Sequence, residues 1–421
     1  MYFRRSRVFQ ISGKIDKTSK GKKCHIERMA LLRAGKEVVI FPSVFLVAFG
    51  VGVTMLGMVF HLREALGATP SQVGSLSAVW ALSYILGCIF MRPVFQRAVP
   101  QSLMLISTLF MFLFLLCILF VKALLIAYVL YSMYGFVESL FWPSTMGWLS
   151  RGVEGSSLSK KMSIYNFSWS MGMIIGPLVA GLLSSIGTVF PLTMGCGTYL
   201  LTSILILVAG ITFPRIREEA IAGVIETEEE NRKDRSTFLR YPSWVGLFTT
   251  YVVIGMLLSI FPLYGAEGLG FSKGMIGFLL QVRALCATVG FVLLGRTDVW
   301  HFKPHQILFG QAILAGTVFC MRSALSPLVN GILIALIGFC MALSYFNSIF
   351  HGVSGSFQRT GRMAIHEAIL SAGLIIGSSG GGFVYQRFTM QRVYTLCAFA
   401  VFFGLLIQGA LVIFYTTHRK S

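Results

Sequence analysis

The chain has 421 residues, 55% of them apolar and only 12% charged, with a formal net charge of +19 and a mean hydropathy of +0.77. A soluble domain carries about 25% charged residues, so this composition excludes a water-soluble enzyme or binding module and points to a protein that lives in a bilayer. The basic excess would by itself suit nucleic acid, but its distribution along the chain argues against that partner.

Residues 1–36 are polar and basic and lack the short apolar core and small-residue cleavage site of a signal peptide, so they read as a retained cytoplasmic tail. A spanning helix needs about 20 mostly apolar residues. Such runs occur at 39–61, 74–91, 102–121, 123–149, 162–185 and 189–212. After the polar stretch "FPRIREEAIAGVIETEEENRKDRSTFLRY" at 213–241, six more follow at 243–264, 275–295, 306–323, 327–349, 363–385 and 393–415. The acidic and basic stretch between them is a solvated tether or surface helix with no chemistry of its own. The expected organisation is an all-α membrane protein with twelve transmembrane helices: a basic tail (1–36), a six-helix bundle (37–212), a linker (213–241), a second six-helix bundle (242–416) and a short tail (417–421).

Twelve spans place the loops alternately on two sides. The side of both termini holds 28 Lys and Arg, the opposite side six, and Arg283 lies inside a span. Cytoplasmic loops carry the Lys and Arg excess, so both termini are expected in the cytoplasm of a cell with an inner membrane. The basic residues then serve topology and anionic lipid, and nucleic acid is not a partner. The eight cysteines, at 24, 88, 117, 196, 286, 320, 340 and 397, show no CxxC or Cys/His spacing. They read as small apolar fillers, and neither a metal nor a cofactor is expected.

The two sets of spans repeat each other. At an offset of 203, Gly74 and Gly87 fall on Gly277 and Gly290, Gly135-Phe136 on Gly338-Phe339, and Trp142 on Tyr345. At 201, "SMGMIIG" (170–176) falls on "SAGLIIG" (371–377), which pairs Gly172 with Gly373 and Gly176 with Gly377. Parallel repeats of this kind place the solute path between the halves near the bilayer midplane. In the fifth span Gly172, Gly176 and Ala180 recur every four residues, so they share a face on which a neighbouring helix can approach backbone to backbone. Pro177 bends that face, and Gly181 extends the run.

These residues resemble the major facilitator superfamily from about residue 38 to 416. The fifth span is similar to its antiporter-associated Gly-x-x-x-Gly-Pro-x-x-Gly-Gly motif, with Ala180 in place of the first glycine of the last pair. "FWPST" (141–145) and "GRMAIHEAILSAGLIIG" (361–377) are similar to prokaryotic members, many without an assigned substrate. The loop after the second span, "GCIFMRPVFQR", keeps Gly87, Arg92 and Arg97 of the family pattern but has Met91 where its Asp belongs. The resemblance implies two bundles that alternate in opening to either side, with the fifth span at the seam between them, where its glycines and proline shape the closing surface.

Charges inside spans are costly and by default mark a pathway. Glu138 and Arg283 each lie about halfway along a span. They suit an ion pair, a site for a charged solute, or a proton site at Glu138. Tyr131, Tyr134, Glu138 and Trp142 share one helix face, an aromatic stripe interrupted by a carboxylate. Asn166 and Trp169 open the fifth span and His366 and Glu367 the eleventh. This last pair suits a gate, a relay, or a helix start, where a carboxylate is favourable. Asn347, His351 and His61 are weaker candidates. No Walker loop, GxSxG or HExxH is present, so the chain is not expected to be an enzyme, and its energy source is an ion gradient. The expected function is secondary transport of a small solute by a monomer, as proton-coupled export. The alternatives are symport or facilitated uptake, or a transporter-like sensor or scaffold that moves nothing.

Overall fold

A computed structural model describes residues 35–91, 94, 98–150, 155–212, 237–297, 299–353 and 359–418. Most of the expected tail and linker, 1–34 and 213–236, lies outside them. Helices run in chain order as α1 (Glu37–Glu64), α2 (Pro70–Phe90), α3 (Pro100–Phe120), α4 (Leu124–Leu149), α5 (Gly155–Ile186), α6 (Val189–Thr212), α7 (Arg240–Glu267), α8 (Lys273–Gly295), α9 (Pro304–Cys320), α10 (Pro327–Val353), α11 (Ile365–Arg387) and α12 (Met390–His418). Eleven are long and apolar enough to cross a membrane. The other, α9, has 17 residues and continues as a one-turn 3-10 helix, Met321–Ser323.

Local chemistry sets the ends and breaks. Thr69 and Gln72 form a capping box at the start of α2, with Pro70 in its first turn, where a missing N–H costs nothing. Ser272 accepts from Met275 N at the start of α8. Helix α4 breaks at Ser139-Leu140, because Pro143 has no N–H to give the Ser139 carbonyl. The Val137 carbonyl nearby accepts from Leu140 N at 3.1 Å and also takes a 2.7 Å bond from Ser107 Oγ of α3. Pro262 explains the break at Ile260 in α7 in the same way. In α11 the glycine-rich run passes through a π turn, Ile376–Gly380.

The repeat holds at atomic detail. A Cβ on Gly172 would meet Phe49 N at 2.6 Å and one on Gly176 would meet Gly52 Cα at 2.9 Å, so α5 lies backbone to backbone on α1. In the second half Gly373 faces Phe248 O at 2.6 Å and Gly377 faces Val252 Cα at 3.0 Å, which sets α11 on α7 in the same way. Gly87 abuts Phe136 and Ser139, and Gly290 abuts Phe339 and Ala342; Gly135 abuts Trp80, and Gly338 abuts Arg283. In the last two pairs of contacts each residue lies 203 positions from its counterpart.

The buried apolar residues form one large cluster drawn almost wholly from α1 to α6. A second is drawn mainly from α7 to α12, but it also takes in Phe49, Val53, Leu56, Phe60 and Ala180. The seam has two matching joints. Across α5 and α8, Gly181 lies 2.9 Å from Gly277 Cα by its would-be Cβ, and Gly277 meets the Pro177 carbonyl. Across α2 and α11, Gly382 meets the Pro70 carbonyl at 2.5 Å and Gly74 meets the Ser378 carbonyl. The expectation that the whole glycine face of α5 shapes the seam is thereby corrected. Gly172, Gly176 and the Pro177 ring fasten α5 within the first half, and the Pro177 carbonyl, Ala180 and Gly181 face the second.

Both joints lie toward the end of the bundle away from the termini, hereafter the far end. Arg63 Nε and Nη2 grip the two oxygens of Glu267 there at 2.5 and 3.1 Å. Lys273 Nζ bonds Glu64 Oε2 at 2.7 Å and the Ser184 carbonyl at 3.1 Å. Toward the terminus end, Asn166 on α5 and Glu367 on α11 are both exposed. The structure is therefore closed at the far end.

A candidate solute site between the halves

Glu138 is the last residue before the break in α4 and is 2% exposed. Trp80 Nε1 of α2 donates to its Oε2 at 3.0 Å, and Trp142 Nε1 of α4 donates to its Oε1 at 3.1 Å. Both carboxylate oxygens are thus occupied by neutral donors, an arrangement suited to an ionised acid, which only accepts. Gly135 permits it, since a Cβ there would sit 2.7 Å from Trp80 O and Cδ1.

Arg283 does not pair with Glu138. Its side chain, 5% exposed, donates from Nη1 to Met341 Sδ at 3.3 Å, and Nε has no partner. Thioether sulfur is a weak acceptor. The repeat gives the reason: residue 283 is the counterpart of Trp80, and residue 341 is the counterpart of Glu138. Each half carries one contact between its second and fourth helices at this level. The first half builds it from an indole and a carboxylate, and the second from a guanidinium and a methionine. Arg283 is left without a counter-charge because its own repeat supplies a thioether there.

Glu367 lies one residue from His366 and so turns about 100° away from it around the helix. His366 turns into the α10 contact, where Nδ1 lies 2.8 Å from Ser348 Oγ and the ring stands edge-on to Tyr345 at 4.8 Å. Glu367 is exposed. Its electrostatic neighbours are Tyr84 and Cys88 of α2, Tyr165 of α5, Tyr251 of α7 and Tyr345 of α10. Tyr84 and Cys88 are also neighbours of Glu138, and Tyr251 is a neighbour of Arg283. The three charges therefore share aromatic neighbours drawn from both halves.

The remaining candidates are dispersed. Tyr134 is turned into the first-half core, where its hydroxyl meets Tyr199 at 2.5 Å, so it stands behind Glu138 rather than before a solute. Trp169 is half-buried against the same core. Asn347 bonds the Leu343 carbonyl within its own helix, and His351 sits among Trp300, Phe302 and Phe350. His61 is at the far end beside Thr188. Sequence reasoning missed Trp80, Tyr84, Tyr251 and Met341. The offset of 203 carries the signal for Trp80 and Met341, because it maps the two intramembrane charges onto them.

A family model described as the Major Facilitator Superfamily matches residues 40–357. No curated protein matches the sequence. Among solved structures, the nucleoside transporter NupG is similar with a TM-score of 0.69 at 9% identity, covering 89% of this chain and 99% of that one. A peptide transporter, POT, in complex with sulfate has a TM-score of 0.69 at 12% identity, covering 91% and 98%. A bacterial homolog of the human lysosomal transporter Spinster, in an inward-facing and occupied conformation, has a TM-score of 0.68 at 12% identity, covering 92% and 96%. At these identities the likeness speaks for the fold.

Proposed function

Because the chain belongs to the major facilitator superfamily, we propose that it is a secondary transporter that exports a small organic solute in exchange for protons, with Glu138 as the proton site. The reading places both termini in the cytoplasm, on the basic side, so that the described state faces inward. It also treats the monomer as the working unit.

One observation carries the proposal: a carboxylate at mid-membrane depth whose two oxygens are each held by an indole N–H. Ionised, Glu138 can satisfy both donors. Protonated, one oxygen becomes a donor itself, and one indole bond must be given up or rebuilt. The bond to Trp80 is the one that joins α4 to α2. Since α2 forms a seam joint through Gly74, a proton arriving on Glu138 loosens a helix that closes the far end. The solute would enter between Tyr84, Glu367 and Tyr251 while the far-end ion pairs hold.

The test uses inverted membrane vesicles with an acid interior reported by a quenched acridine dye, to which a panel of small organic solutes is added. Solute-dependent dequenching in the wild type that vanishes in Glu138→Gln, with solute exchange at equal pH retained, supports the assignment. Dequenching that survives in Glu138→Gln removes Glu138 from coupling. A second reading, that Glu138 only fixes the packing of α2 on α4, is favoured by the same two indole bonds. It predicts that Glu138→Gln loses exchange and gradient-driven movement together.

A further inference from the structure

Two charges near the meeting of the halves are not neutralised by the protein. Arg283 is buried, has only a thioether near Nη1 and nothing on Nε, and among the described residues it is in no ion pair. A buried charge without a partner costs several kcal/mol, so a fold that keeps one gains something when a ligand arrives. Glu367 is exposed on α11, in no ion pair among the described residues, and shares Tyr251 as a neighbour with Arg283. A simple anion would satisfy Arg283 and meet Glu367 as a like charge. A simple cation would do the reverse.

The spacing follows from depth. At 1.5 Å per residue from the far end of each helix, Met341, beside which the guanidinium lies, is about 21 Å deep and Glu367 about 30 Å deep. The two charges thus stand roughly 10 Å apart along the membrane normal by that rise. From this we propose that the site takes a zwitterionic solute whose carboxylate reaches inward to Arg283 and whose amine stays nearer the termini at Glu367, with the charges at least about 10 Å apart. Half-buried Tyr84 and Tyr345 and buried Tyr251 line the way between. The inference names the solute class of the transport site proposed above and rests on that reading of the chain.

The probes are the linear ω-amino acids from 4-aminobutanoate to 10-aminodecanoate, scored by the melting temperature of the purified full-length protein at one pH. Stabilisation is expected to peak at the members that span the two charges. The N-acetyl and methyl ester forms of the best probe should each bind at least tenfold more weakly. Arg283→Gln and Glu367→Gln should each abolish the stabilisation. Met341→Glu puts a carboxylate where the repeat has Glu138, and it should raise the melting temperature of the empty protein while abolishing stabilisation by the probe. This last variant decides the matter even if Arg283→Gln does not fold. Equal binding of the acetylated form, which means an anion site, equal binding of the ester, which means a cation site, no stabilisation by any member, or wild-type binding in Met341→Glu would each overturn the proposal. Because binding is read without a gradient, loss of coupling at Glu138 leaves this inference standing, and failure of the probes leaves the coupling assignment standing.

Discussion

Gly277→Ala is the sharpest perturbation of the seam. The added Cβ would lie 3.0 Å from Gly181 Cα and 3.2 Å from Gly181 N, and closer still to the Pro177 carbonyl oxygen, where ordinary contact begins at 3.4 Å. Every opposing atom belongs to backbone, so no rotamer change relieves the conflict, and the Pro177 carbonyl, the nearest of them, requires α5 and α8 to part by about 1 Å. Overpacking of this kind costs about 1–3 kcal/mol, and here it is charged only to the state in which the far end is closed. A bias of that size moves a two-state equilibrium by about 5- to 150-fold. Ser184, 1% exposed beside this joint, gives the assay. As a single cysteine in a background without the native ones, its labelling by a membrane-impermeant maleimide from the far side should speed up at least fivefold when Gly277 becomes Ala. An unchanged labelling rate together with wild-type solute exchange would show that the joint is not a closing surface.

Glu138→Gln sets an amide N–H₂ against an indole N–H and should lower the stability of the purified protein by about 1.5–3 kcal/mol, the range for bonds to charged groups, as read by thermal melting. Gly176→Leu, which drives a side chain into Gly52 of α1 within one half, should abolish folded protein in the membrane rather than slow its transport. Equal yield with slow transport would move that contact to the seam. Arg63→Glu should favour far-end opening, and Glu267→Arg in the same chain should restore closure. The pair is about one third exposed on each side, so the effect is expected to be no more than about 1 kcal/mol. A cytoplasm-specific reporter fused at Ser421 should be active, and activity of a periplasmic reporter instead would invert the topology.

The helices were legible because each must supply about 20 apolar residues in one run, and α9 fell short only because its last turn tightens into 3-10 geometry. The repeat was legible in its glycines, since small residues mark where backbones touch. Which backbone each glycine touches was not. Gly172 and Gly181 belong to one motif, but nine positions at about 100° each set them on opposite sides of the helix, so the first faces α1 and the second faces α8. Depth singled out Glu138 and Arg283. It could not tell that they stand apart, because partner choice depends on which side chains of the second and fourth helices meet. Applying the offset of 203 to the charges as well as to the glycines would have drawn Glu138 to Met341 and Arg283 to Trp80. The differing aims of His366 and Glu367 followed from helical angle alone.

The clamp on Glu138 also makes the protein its own optical instrument. The chain has six tryptophans, and two of them, Trp80 and Trp142, end on one carboxylate. Indole emission and the indole N–H stretch both respond to the acceptor on that nitrogen. When a proton takes one of the two oxygens, the acceptor of an indole weakens or is lost, and the spectrum of unlabelled protein changes with it. Difference spectra against Trp80→Phe and Trp142→Phe would isolate the two signals, so that the order of proton binding, solute binding and helix movement could be timed on native chromophores during a single turnover.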